Sequence, residues 1–231
     1  MMNSMRIGRL IFSVCVLALV SQWTNAADFT VKVVDKPAPK EISEPIRAVL
    51  QSKAVQLLDG DKPALEIWLR TELPLKSKPA APNEALNAVP ETTLVGAVVV
   101  SAADLHDYKN NDIPKGIYTA RFALQPSDGD HLGTTEFTTF VALIAADTDK
   151  ELTGINQFKP MVKASGKLTS SGHPVVVSLR PIAPEGDAPK ITEPVPEHKA
   201  VRLTVPGKVN GSGDKADVAF ELVYRGTGHI Q

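Results

Sequence analysis

The amino-acid sequence predicts an all-β fold, and three observations carry that prediction. Short apolar runs recur with a two-residue period, turn-forming residues separate them, and few segments hold an apolar stripe at helical spacing. About nine such runs follow the N-terminal segment, which points to a two-sheet β-sandwich or a barrel, the sandwich being the expected arrangement. Composition agrees: 43% of the 231 residues are hydrophobic but only 5% aromatic, so the core must be mainly aliphatic. Eighteen prolines exceed the usual share of about 5% and call for many loops.

Residues 1–26 read as a cleavable signal peptide. Arg6 and Arg9 supply the positive start, and the run Leu10 to Val20 carries no charge. That run falls well short of the roughly 20 residues needed to span a bilayer. Thr24-Asn25-Ala26 ends on a small residue, which places cleavage after Ala26, with Ala27 the second choice. The expected location is therefore periplasmic or extracellular, with no transmembrane segment after cleavage. Cys15, the only cysteine, lies inside the signal segment, so the mature chain 27–231 can form no disulfide or thiolate site. Val14 before Cys15 does not suit lipidation.

The strands follow in order. Phe29, Val31 and Val33 share one face of the first. Ala54 to Leu58 turns through Asp59-Gly60-Asp61 into a strand with Leu65, Ile67 and Leu69 on one face and Glu66, Trp68 and Arg70 on the other. Leu94 to Val100 and Phe137 to Ala145 are apolar on both faces, as strands covered on two sides are. Between them, Tyr118, Ala120, Phe122 and Leu124 face inward, while Thr119, Arg121 and Gln125 are expected to face out. Val175, Val177 and Leu179, then Val201, Leu203 and Val205, and last Val218, Phe220, Leu222 and Tyr224 line the inner faces of three more strands.

Helix is scarce. Ser43 is placed to cap a short turn carrying Ile46, Val49 and Leu50, and Lys159 to Leu168 forms a second candidate, weakened by Gly166. Residues 74–91, with four prolines, and 181–196, with five, are expected to be exposed connections within a single domain spanning 27–231.

The stretch Ile113-Pro114-Lys115-Gly116 reads as a reversal into the alternating strand, with Gly116 expected at a positive φ. The run Pro114-Lys115-Gly116-Ile117-Tyr118-Thr119, then Gln125-Pro126 and Asp128-Gly129-Asp130-His131-Leu132-Gly133, resembles a recurrent pattern of secreted bacterial proteins with no established activity. Leu65-Glu66-Ile67-Trp68-Leu69 upstream and Gly172-His173-Pro174 downstream fit it too. The resemblance implies an exported β-sandwich and supplies no catalytic residue.

Twenty-five basic against twenty-six acidic residues give a net charge of −1, which offers no field for nucleic acid. Asp128, Asp130 and His131 form the loop with the most chemical potential, and Asp104, His106, Asp107 and Asp112 precede it. Their spacing satisfies neither calcium nor zinc, so a tight structural loop is expected and no metal. His173, His198 and His229 have no nucleophile or acid at an informative spacing and are expected at the surface. Ser165-Gly166-Lys167-Leu168 lacks the glycine and hydroxyl of a phosphate loop, and no hydrolase or dinucleotide fingerprint occurs, so no cofactor is expected. Trp68 is either a stacking platform for a sugar or a core residue under a cover, the latter the more expected. The sequence thus points to an exported non-catalytic binding or structural module with an envelope or glycan partner. A carbohydrate-binding or carbohydrate-active accessory protein, or a hydrolase of unfamiliar type using Asp128, Asp130 and His131, are the alternatives.

Overall fold

The computed structural model describes residues 29–102, 105–107, 111–126, 137–186 and 188–226. Residues 1–28, Asp104, Asp128, Asp130, His131 and His229 lie outside them. The fold is mainly β. The strands are β1 (Thr30–Asp35), β2 (Lys53–Asp59), β3 (Lys62–Leu69), β4 (Leu73–Leu75), β5 (Leu94–Val100), β6 (Gly116–Leu124), β7 (Thr139–Ala145), β8 (Val176–Ile182), β9 (Lys190–Thr192), β10 (Lys199–Val209) and β11 (Lys215–Arg225). Helices α1 (Glu44–Arg47) and α2 (Phe158–Gly166) and a 3-10 turn at Pro82–Ala88 complete the fold.

Hydrogen bonding runs in one path, β1-β2-β3-β5-β6-β7-β8-β11-β10-β4, and β9 adds to the free edge of β10. The result is a nearly closed barrel and not two separate sheets. Every pairing is antiparallel except β4 with β10, where Leu73, Pro74 and Leu75 lie beside Gly207, Lys208 and Val209. Strand counting and alternation cannot distinguish a sandwich from a barrel, because both need the same inward set; the pairing of β3 with β5 and of β7 with β8 joins what would have been two sheets. The β2–β3 hairpin turns at Gly60, whose φ of 58° suits a residue without a Cβ.

One aliphatic core fills the barrel. It takes in Leu65, Ile67 and Leu69 from β3, Tyr118, Ala120 and Phe122 from β6, Val177 and Leu179 from β8, and the inward sets of β10 and β11. Sequence alternation gave the correct inner faces of these strands; in β1 it fails at Val33, which is 47% exposed while Val34 packs against the outer cluster with Ile42 and Trp68. Outside the wall, two covers explain why β5 and β7 are apolar on both faces. Ile42, Ile46 and Leu50 from the α1 segment lie over Trp68, Leu94 and Ala97, while Met161 of α2 packs on Ala123, Phe140, Ala142 and Ile144.

The segment 74–91 departs from the exposed connection expected of it. Leu73 and Leu75 of β4 are fully buried, and Ala85, Leu86, Ala88 and Val89 enter the barrel core. The 3-10 turn packs against β8 and β11 and stops one end of the barrel. Its prolines, at the start of the turn and in an edge strand, occupy places where no ladder donor is needed, so proline content did not mean exposure here. In 181–196, β8 runs on to Ile182 and β9 pairs with β10, with exposed chain between.

Gly116 does not take a positive φ; it begins β6 in extended backbone. What demands glycine is Tyr118: a Cβ on residue 116 would stand 2.5 Å from the Tyr118 hydroxyl. That hydroxyl donates to Pro114 O at 2.8 Å, tying the reversal to the strand it feeds.

Candidate functional site

Trp68 is completely buried, and its indole Nε1 donates to Lys36 O at 2.7 Å. With α1 on one side and the Lys36 ammonium 5.7 Å from its ring centre, it presents no face to a sugar. The stacking role is set aside; the cover over the outer face of β3 is the physical reason. Nearby, Glu66 is buried and satisfied by Lys36 Nζ at 2.7 Å and Gln56 Nε2 at 2.6 Å. It is an internal fastening of the outer wall.

Arg121 was expected to face solvent. It faces outward from the barrel but is wholly buried, beneath the chain leading from β7 to α2. Its Nε donates to Asp149 Oδ2 at 2.7 Å and its Nη2 to Asp149 Oδ1 at 2.8 Å, a two-pronged ion pair. The remaining donors reach Thr92 O at 2.8 Å, Glu151 O at 2.7 Å, Leu152 O at 3.1 Å and Ile155 O at 3.3 Å. Thr119 Oγ1 also donates to Asp149, at 2.6 Å. Thr92, held in a left-handed conformation at φ 66°, is fixed by this contact and by its own N–H to Phe122 O. Every donor of Arg121 is committed to the protein, so the cluster is a structural clamp and offers nothing to a substrate. The alternation gave its face correctly but not its cover.

The loop residues Asp128, Asp130 and His131 lie outside the described residues. Of their expected neighbours, Asp107 is buried and accepts the backbone N–H of Asn111 at 2.8 Å and its side-chain amide at 2.9 Å. His106 Nδ1 stands 3.1 Å from Asp112 Oδ1. Among the described residues no three His, Asp or Glu side chains converge as metal ligands. His198, expected at the surface, is buried beside the start of β10, its Nδ1 2.9 Å from Pro196 O; His173 is exposed, as expected.

Among the described residues, a void of about 20 Å³ lies inside the barrel between Leu65, Val98, Leu105, Ile113 and their neighbours. That is room for about one water and far below the several hundred Å³ of a small-ligand pocket. Two ligand-sized recesses among the described residues lie on the surface. A cleft of about 390 Å³ sits at the end closed by Leu105 and Ile113, between Asp107, Asn111, Asp112 and the Thr169–Val175 segment. A larger depression, about 580 Å³, lies at the other end, where β4 leaves β3 and the β10–β11 hairpin turns. Arg70, Glu72, Pro74, Lys208 and the turn Asn210–Gly213 line it. Sequence reading missed this place, because Arg70 and Lys208 come together only through the parallel β4–β10 pairing.

Comparison of the chain with family models, with curated proteins and with solved structures gave no match. No helix among the described residues is long and apolar enough to cross a membrane.

Proposed function

We propose that the protein is an exported, non-catalytic binding or structural module of the cell envelope or extracellular space, working through the outside of its barrel. The observation that carries this reading is the packed interior: among the described residues the internal void is about 20 Å³, too small for a small-molecule ligand, which supports a protein working through its surface and not as a carrier. In this reading the wall acts as a sandwich does, two sides pressed on one aliphatic core. The committed hydrogen bonds of Arg121, Asp149 and Glu66 support it further, since the buried charges are spent on architecture. The signal-peptide profile of residues 1–26 and the resemblance to secreted bacterial proteins support export. The test is N-terminal sequencing of protein recovered outside the cytoplasm. Ala27 is the expected first residue, and exported protein that still begins at Met1 would overturn the cleavage.

A further inference from the structure

The depression at the β4 end combines three features. First, Arg70 is half-buried at the end of β3, yet its guanidinium makes no hydrogen bond or ion pair among the described residues. Burial pushes it below its ordinary value, Glu72 opposes that, and the neighbouring Arg121 adds to it. Glu72 is the nearby counter-charge, but it makes no direct ion pair with the guanidinium, so the donors of this partly desolvated cation stay open to an anion. Second, Lys208 enters the same recess from β10, its stem within 4.0 Å of where a Cβ on Gly213 would lie. Third, the turn between β10 and β11 holds Gly211 at φ 89° and Gly213 at φ 77°. The N–H groups of Asn210, Gly213 and Asp214 are taken up by Leu75 O, Val209 O and Ser212 Oγ. Those of Gly211 and Ser212 have no protein acceptor among the described residues and belong to residues lining the recess. Turn amides of this sort add donors to an anion site without adding charge.

We infer that this recess binds a small oxyanion-bearing ligand, its carboxylate or phosphate taken by Arg70 and Lys208 and by the turn amides of Gly211 and Ser212. Glu72, which also lines the recess, disfavours a ligand of high negative charge and leaves room for a singly charged group. The volume, about 580 Å³, exceeds what a bare ion fills and falls in the range of small-ligand pockets. Asn210 and the Ser212 hydroxyl supply polar wall, and Pro74 and Val209 an apolar one, which suits a sugar acid or sugar phosphate. The inference rests on the surface-binding reading above and gives it a ligand class.

The experiment is titration of the mature protein, followed by NMR or calorimetry, with galacturonate, glucose 6-phosphate, inorganic phosphate and neutral galactose as probes. Saturable binding of at least one anionic sugar is expected near or below roughly millimolar concentration, with galactose not binding. Binding by the carboxylate alone or the phosphate alone identifies the source. Arg70→Gln should weaken it by about tenfold or more, the value of a lost charge-assisted hydrogen bond. Lys208→Glu, on an exposed side chain and so safe for folding, should abolish it. Lys62→Gln, on an exposed side chain at the opposite end of β3 from Arg70, should leave it unchanged. Equal binding of galactose, full binding by folded Lys208→Glu, binding of inorganic phosphate alone, or no binding of any probe would each overturn the site. Failure here with Ala27 found outside the cytoplasm removes only the site, whereas binding by a protein that stays inside removes the exported-module reading and keeps it.

Discussion

Replacing Arg121 by methionine removes the centre of the clamp on the outer face of β6. The guanidinium is 0% exposed and its partner carboxylate 1% exposed, so neither group can turn to water when the other is lost. Asp149 would keep only the Thr119 hydroxyl of its side-chain partners here, and four backbone carbonyls would lose a donor. Breaking a buried pair on one side costs about 3–5 kcal/mol, because the remaining charge stays buried and uncompensated. For a chain of this size that corresponds to a fall in Tm of roughly 6–20 °C. Arg121→Met should therefore destabilise about as much as Phe122→Ala, whose removal from the core is also worth about 3–5 kcal/mol. Asp149→Leu should behave alike, and the double variant should recover most of the loss, since apolar replacement of a whole buried pair is often neutral or stabilising. The assay is urea unfolding followed through the emission of Trp68, with the four proteins compared as a double-mutant cycle. A single-variant loss below about 1 kcal/mol, the range of surface pairs, would refute the burial of the clamp. So would a double variant whose loss equals the sum of the singles.

Gly116→Ala should lower stability by about 1–3 kcal/mol, as overpacking does, because the new methyl meets the Tyr118 ring where it is buried. A raised Tm, as expected of Gly→Ala in an unobstructed strand, would refute that collision. Tyr118 itself is pushed by burial above its ordinary value, so the folded state holds its proton more tightly than the unfolded chain does. Its contribution is present in full below the usual tyrosine value of about 10 and is lost as pH rises from there through the folded-state value. Unfolding measured across that alkaline range should show the decline in the natural protein and a shallower one in Tyr118→Phe, and identical slopes would refute the assignment.

Much of the fold was legible because strand alternation is a local signal. Tyr118, Ala120 and Phe122 occupy the inner face that their spacing requires, and so do Val201, Leu203 and Val205. What escaped was decided by partners distant in sequence. Arg121 looks like a solvent residue within its own strand; the hint lay in β7, whose apolar outer face requires a cover that must extend over its neighbour β6. Leu73, Leu75 and Leu86 were hidden by the prolines around them, although leucines are poor candidates for an exposed linker. The Arg70 recess had no local signature at all, since a non-local parallel pairing brings its cations together.

That pairing has a consequence for how the molecule is assembled. β4 belongs to the first third of the chain, yet it finds its partner only when β10 exists, more than half the chain length later. Until then Leu73 and Leu75 have no strand to lie beside, and the 3-10 turn behind them has no β11 to pack against. Closing so long a loop is entropically costly and slow, so the stopper end of the barrel is set last. A chain cut before β10 is then not a shorter barrel but an open sheet with an uncovered apolar interior. Such a chain is prone to edge-to-edge association, which makes the C-terminal hairpin the step that closes the barrel over its core.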